Sequence, residues 1–155
     1  MYNLKSKAAE TIGHIVLSFS RLDFNIALAI RNIITTTQPE QLNPLIERLN
    51  FKQRLEVLRD LVQSSTHVNA DGVAQFEAWY VRADNLRAKR NAFVHGRWGF
   101  GAADRAFNTS TKVGSTFSGR ATEHSISDLQ MDLSEAENVL HSLIEWQNKQ
   151  LFHAA

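Results

Sequence analysis

Between Ala8 and Ile33 the apolar residues fall mostly in steps of three and four: Ala8, Ile12, Ile15, Val16, Phe19, Leu22, Ile26, Ala29, Ile30 and Ile33. That spacing returns to one helix face every turn and keeps it buried. Residues Ser6 to Thr36 are therefore expected to form one long helix. The run Thr35-Thr36-Thr37 followed by Pro39 should end it, because β-branching and a proline both oppose continuation.

Three more helices follow from similar patterns. Pro44 is expected to open a short turn through Leu45, Ile46 and Leu49. Asn50 then caps a second helix, Phe51 to Gln63, with Leu55, Leu58, Leu61 and Val62 on its apolar side. Ser64 to Gly72 is a polar loop, with Asn69 or Asp71 as the next cap. The third helix, Gly72 to His95, buries Val73, Phe76, Trp79, Tyr80, Ala83, Leu86 and Val94, and Gly96 stands at its C-terminal stop. Ser127, with Gln130 completing a capping box, opens the last helix, whose core face is Leu129, Leu133, Ala136, Leu140, Leu143, Ile144 and Leu151.

Between the third and fourth helices, residues 97–126 break the pattern with Gly99, Gly101, Gly114 and Gly119. Strand candidates at Arg105 to Thr111 and Thr122 to Ile126 suggest a β-hairpin or a flexible insertion. The fold expected is all-α: an up-and-down bundle of four main helices with an extra turn near 44–49 and that insertion. With 155 residues and no repeat or low-complexity linker, 1–155 reads as a single domain.

Composition narrows the chemistry. No cysteine is present, which leaves no disulfide framework, thiolate metal site or thiol nucleophile and fits a reducing, cytoplasmic setting. No signal peptide is expected ahead of the first helix. No apolar run reaches the ~18 residues of a membrane span, since Ile12 to Ile30 is interrupted by His14, Arg21, Asp23 and Asn25. A net charge of +1 does not suit coating a long polyanion, but Arg82 to Arg97 carries five basic residues (Arg82, Arg87, Lys89, Arg90, Arg97) against Asp84. A local cationic patch of this kind suits a specific anionic ligand.

Within that patch Asn91 and His95 lie four apart and share a helix face. Arg90 and His95 lie five apart, about 140° around the helix and ~7.5 Å along it. They meet if the arginine curls toward the helix end, or through a second copy of the chain across a symmetric interface.

Arg90-Asn91-Ala92-Phe93-Val94-His95 resembles the R-N-x-x-x-H signature of HEPN domains (higher eukaryotes and prokaryotes nucleotide-binding). The order of long helix, second helix, motif at the end of the third and closing helix is also similar. The resemblance implies a metal-independent endoribonuclease, with the adjacent 2′-OH as nucleophile and cyclic phosphate and 5′-OH ends as products. His95 would be general acid or base, and Arg90 would stabilise charge on the phosphorane-like transition state. Asn91 would orient His95 or the phosphate. The resemblance further implies RNA or a nucleotide as ligand, a homodimer with a composite cleft, and no cofactor. Toxin or phage-defence members also pair with an antitoxin such as a small nucleotidyltransferase.

Other readings stand beside these. His95 at a helix C-terminus can simply complement the dipole. Arg90 can pair with Asp84 or another carboxylate, and Asn91 can bond a neighbouring backbone group. Arg97 and Trp98 suit stacking on a base, although Trp98 suits a hairpin core better, and Arg87 and Lys89 are solvent-facing charges that add general attraction for substrate. The motif as a whole can also serve a non-catalytic module that binds a nucleotide, RNA or protein. His14, His67, His124, His141 and His153 lack metal-ligand spacing, and no H-E-x-x-H, P-loop, dinucleotide fingerprint or G-x-S-x-G is present. Asn108-Thr109-Ser110 is formally a glycosylation acceptor, which a cytosolic chain would not use.

Overall fold

The computed structural model describes residues 2–34, 36–101, 105–109 and 121–152. Of these, 79% are helical, in five α-helices with a small three-stranded antiparallel sheet. In chain order they are α1 (Tyr2–Ile33), α2 (Asn43–Glu47), α3 (Phe51–Ser64), α4 (Ala70–His95), β1 (Arg97–Phe100), β2 (Arg105–Thr109), β3 (Thr122–Ser125) and α5 (Ile126–Gln147). A 3-10 turn, Pro39–Leu42, precedes α2, and a π turn, Asn148–Phe152, follows α5.

The first helix begins earlier than expected and stops at Ile33. Leu4, buried one turn before Ala8, extends the apolar stripe backwards. Pro39 does not close α1 but occupies the first turn of the 3-10 segment, where its missing N–H is harmless. By length and composition, Asn3–Ile33 is apolar enough to cross a membrane, as buried core helices also are. Its residues Ile15, Leu22, Ile26 and Ala29 are fully buried within the protein.

Local signals fix the other helix starts. Asn50 caps α3 in a capping box, its side chain accepting from the Gln53 N–H while the Gln53 side chain accepts from the Asn50 N–H. Asn69 caps α4, its Oδ1 accepting from the Gly72 N–H at 2.7 Å. For α5 the cap lies two residues ahead of Ser127. Ser125 Oγ accepts from the Asp128 N–H at 3.0 Å, and Asp128 Oδ2 accepts from the Ser125 N–H at 2.8 Å. A carboxylate answers the cap N–H better than the Gln130 amide would, and Ile126 then packs against the core.

The chain divides into two compact units, each assembled from distant pieces of sequence: Met1–Phe19 with Leu86–Glu137, and Ser20–Asn85 with Asn138–Ala155. In the second unit Phe76 lies 5.1 Å from Trp79 and 5.2 Å from Trp146, centroid to centroid. The two indole N–H groups donate to the carbonyls of Val139 and Gly72. Here α3 and α4 are also joined by Arg59, which binds both oxygens of Glu77 and lies over the Tyr80 ring.

In the first unit Ala8, Ile15, Phe93 and Leu129 form the core, covered by Ile12, Trp98, Phe100, Ile126 and Leu133. The sheet has the order β1-β2-β3, with Trp98 opposite Asn108, Phe100 opposite Ala106 and Ala106 opposite His124. Alternation along the strands puts these residues on one face, and Arg97, Arg105 and Glu123 on the other. The expected two-strand hairpin is thus a three-strand sheet, because Trp98 and Phe100 make Arg97–Phe100 a strand in its own right. Of the wider insertion, residues 102–104 and 110–120, including Gly114 and Gly119, lie outside the described residues, as does His153.

Candidate functional site

On α4, Leu86, Arg90 and Phe93 are separated by four and three residues, so all three lie on one stripe of the helix. Leu86 and Phe93 are 3% and 5% exposed. Arg90 therefore stands on the core stripe while being itself only partly buried. Phe93 takes the buried place that the apolar pattern had assigned to Val94, which is 43% exposed. The pattern fails there because Val94 lies a further 100° around the helix from Phe93.

Arg90 meets that position with an aromatic face rather than a carboxylate. Its guanidinium carbon lies 5.1 Å from the centroid of the Phe19 ring, within cation–π range. Nη1 donates to Asn91 Oδ1 at 3.1 Å. Nε is buried and makes no hydrogen bond among the described residues. Lys52 bonds the Asp84 carboxylate at 3.3 Å.

His95 completes the motif at the exposed end of α4, one turn beyond Asn91. The helix runs unbroken to His95, so the angular separation from Arg90 persists, and no hydrogen bond joins the two among the described residues. One chain bonds Arg90 to Asn91 and joins neither to His95 by a side-chain hydrogen bond among the described residues.

The helix end is closed by the sheet. The Gly96 N–H donates to the Ala92 carbonyl at 2.8 Å, and the Asn108 amide from β2 donates to the same oxygen at 3.2 Å. The Trp98 indole donates to the Phe93 carbonyl at 2.8 Å. Carbonyls that a helix end ordinarily leaves to solvent are thereby satisfied. Gly96 is not in the left-handed conformation usual for a helix-stopping glycine. It is required for space: a Cβ there would lie 2.4 Å from the Ala92 oxygen and 2.5 Å from the Asn108 amide.

The remaining candidates separate clearly. Trp98 packs with Phe93 at 5.5 Å and with His124 at 5.6 Å, and its indole N–H is already used. Lys89 is ion-paired with Asp132. Arg87 is half-buried and engaged, and Arg97 is exposed on the outer face of β1. Asn108, the nominal glycosylation acceptor, is 3% exposed. Beside the sheet, hydrogen bonds from the Ser125 backbone and hydroxyl hold the Asp128 carboxyl below the usual carboxylate range, helped by His124 and Arg105.

The chain matches no family model, no curated protein and no solved structure. The site must be judged on its own chemistry. Among the described residues no cluster of His, Asp or Glu could hold a metal ion. Two clefts, of about 410 and 440 Å³, are lined by Asp23, Phe24, Arg31 and Arg54 and by Trp79, Arg82, Trp146 and Lys149, not by the motif.

Phe19 and Asn108 were missed in the sequence. Phe19 reads there as one more stripe residue and Asn108 as a nominal glycosylation acceptor inside a strand candidate. One signal was available: steps of four and three from Leu86 through Arg90 to Phe93 place an arginine on a core stripe.

Proposed function

We propose that this chain is a HEPN-like endoribonuclease, cytoplasmic and metal-independent, whose reaction is carried by Arg90 and His95 with Asn91 in support. The observation that carries the reading is Arg90. A cation on a core stripe, held by a ring face and an amide and free of any carboxylate among the described residues, keeps its charge available to an anion. A purely structural arginine at such a place is ordinarily paired.

In the proposed reaction the 2′-oxygen attacks the adjacent phosphorus as its proton passes to a base. The bond from phosphorus to the 5′-oxygen breaks, and that oxygen takes a proton from an acid. The products are a 2′,3′-cyclic phosphate and a 5′-OH. His95, an imidazole exposed at the helix end, suits either proton transfer. Arg90 suits the non-bridging oxygens, where charge grows in the transition state. Since Arg90 and His95 point to different sides of α4, a composite cleft from two copies would supply both groups to one phosphate. We read α1, α3, α4 and α5 as the four main helices of an up-and-down bundle that presents this motif. A toxin or defence role with an antitoxin partner belongs to the same reading.

That same separation also favours a second reading, a non-catalytic module in which Arg90 binds a nucleotide, RNA or acidic protein partner. Cleavage of labelled mixed-sequence RNA in EDTA distinguishes them. Cyclic phosphate ends that vanish in His95→Ala and Arg90→Ala support the nuclease. A folded protein that binds RNA without cutting it supports the module.

A further inference from the structure

We propose that Phe19 of α1 is a positioning residue for Arg90, setting the plane of its guanidinium for an RNA phosphate; this rests on the RNA-directed reading of the motif. Phe19 is 6% exposed, so its ring is fixed by the surrounding core. The guanidinium lies against that ring at 5.1 Å, while Nε is buried without a hydrogen bond. On its inner side, therefore, stacking rather than hydrogen bonding sets the orientation of the group. Asn91 holds one terminal nitrogen at 3.1 Å, which fixes rotation within the plane.

The choice of partner has a chemical consequence. A carboxylate would occupy the guanidinium fork that a phosphate needs and would offset its charge. An aromatic face attracts the cation from below and leaves the in-plane donors open. Elsewhere in the same unit Lys89 and Arg105 are held instead by the carboxylates of Asp132 and Glu123.

The test uses the full chain with Phe19→Leu, Phe19→Met and Phe19→Tyr, each first checked for native circular dichroism. In NMR spectra, ring current from Phe19 should displace the Arg90 side-chain resonances. The displacement should be lost in Phe19→Leu and Phe19→Met and kept in Phe19→Tyr; unchanged resonances in the first two overturn the stacking. In RNA cleavage, Phe19→Leu should lower kcat about ten-fold with KM little changed, while Phe19→Tyr stays near native. In an Arg90→Lys background, which keeps a charge but has no planar guanidinium to orient, Phe19→Leu should add no further loss to the residual rate.

A native rate in Phe19→Leu overturns the proposal, as does a full ten-fold loss in the Arg90→Lys background, which would mean a packing effect alone. If the native protein cleaves no RNA, the nuclease reading falls separately. Affinity for an uncleavable 2′-deoxy oligonucleotide then decides the role of Phe19. Binding weakened about five-fold by Phe19→Leu only when Arg90 is present supports positioning, and unchanged binding overturns it.

Discussion

The side-chain amide of Asn108, on the middle strand, donates to the carbonyl of Ala92 in the last turn of α4 at 3.2 Å. This bond joins the sheet to the helix end that carries Arg90, Asn91 and His95, and it lies against Gly96. Gly96→Ala should therefore be destabilising although Ala is the better helix former. The added methyl meets a backbone oxygen and a buried amide, and overpacking of this kind costs about 1–3 kcal/mol. Urea unfolding would measure it. A variant as stable as the native protein would show that the helix end can relax.

Asn108→Ala removes a buried donor and leaves a small void. Loss of that bond should cost about 1–2 kcal/mol in the same unfolding experiment. Hydrogen exchange should rise at the Gly96 amide, whose acceptor Ala92 is the carbonyl that Asn108 also holds. An exchange rate that did not change would show that Asn108 does not hold the helix end closed.

Trp98 and Arg97 should behave differently despite being neighbours. Trp98→Phe loses the indole bond to Phe93 and should lower stability by about 1 kcal/mol while leaving RNA affinity near native. Arg97→Ala should leave stability unchanged and weaken binding, with a shallower salt dependence. Loss of RNA affinity in Trp98→Phe at full stability would return Trp98 to the binding surface.

At the start of α5, Ser125→Ala should cost about 1 kcal/mol, as loss of an N-cap ordinarily does. The cap also gives acid stability a definite sign. The folded-state pKa of Asp128 is lowered, chiefly by hydrogen bonds from Ser125. Its contribution is therefore fully present above the ordinary Asp range and is lost as pH falls through the lowered folded value. Thermal melts of the native protein and Asp128→Asn should differ most near neutral pH and converge in strong acid. A constant gap down to that range would refute the linkage.

His95→Ala should abolish RNA cleavage with little change in melting temperature, because the His95 side chain is exposed and makes no hydrogen bond or ion pair among the described residues. Arg90→Met, which fills the same core position without charge, should keep the fold and lose cleavage as well. General acid–base groups ordinarily contribute about 10²–10⁴-fold, so residual cleavage within ten-fold of native in His95→Ala would remove it from the reaction. Mixing the two variants tests the composite cleft, since a heterodimer would retain one intact arrangement.

The amino-acid sequence by itself determined the long helices and the start of one of them. Apolar spacing and polar caps act within a few residues, so Asn50 was legible without tertiary information and Asn69 was one of two candidates with Asp71. The same pattern contained the placement of Arg90 on a core stripe, although nothing local says what covers it. Only the tertiary structure decided that Phe19 lies under Arg90, that Asn108 reaches Ala92 and that Gly96 is needed for space. Each joins residues sixteen or more positions apart, or depends on such a contact, and no local propensity encodes a meeting of that kind. The third strand escaped for a related reason. Arg97–Phe100 has only four residues and two glycine neighbours, and it becomes a strand because β2 and the helical core bury Trp98 and Phe100.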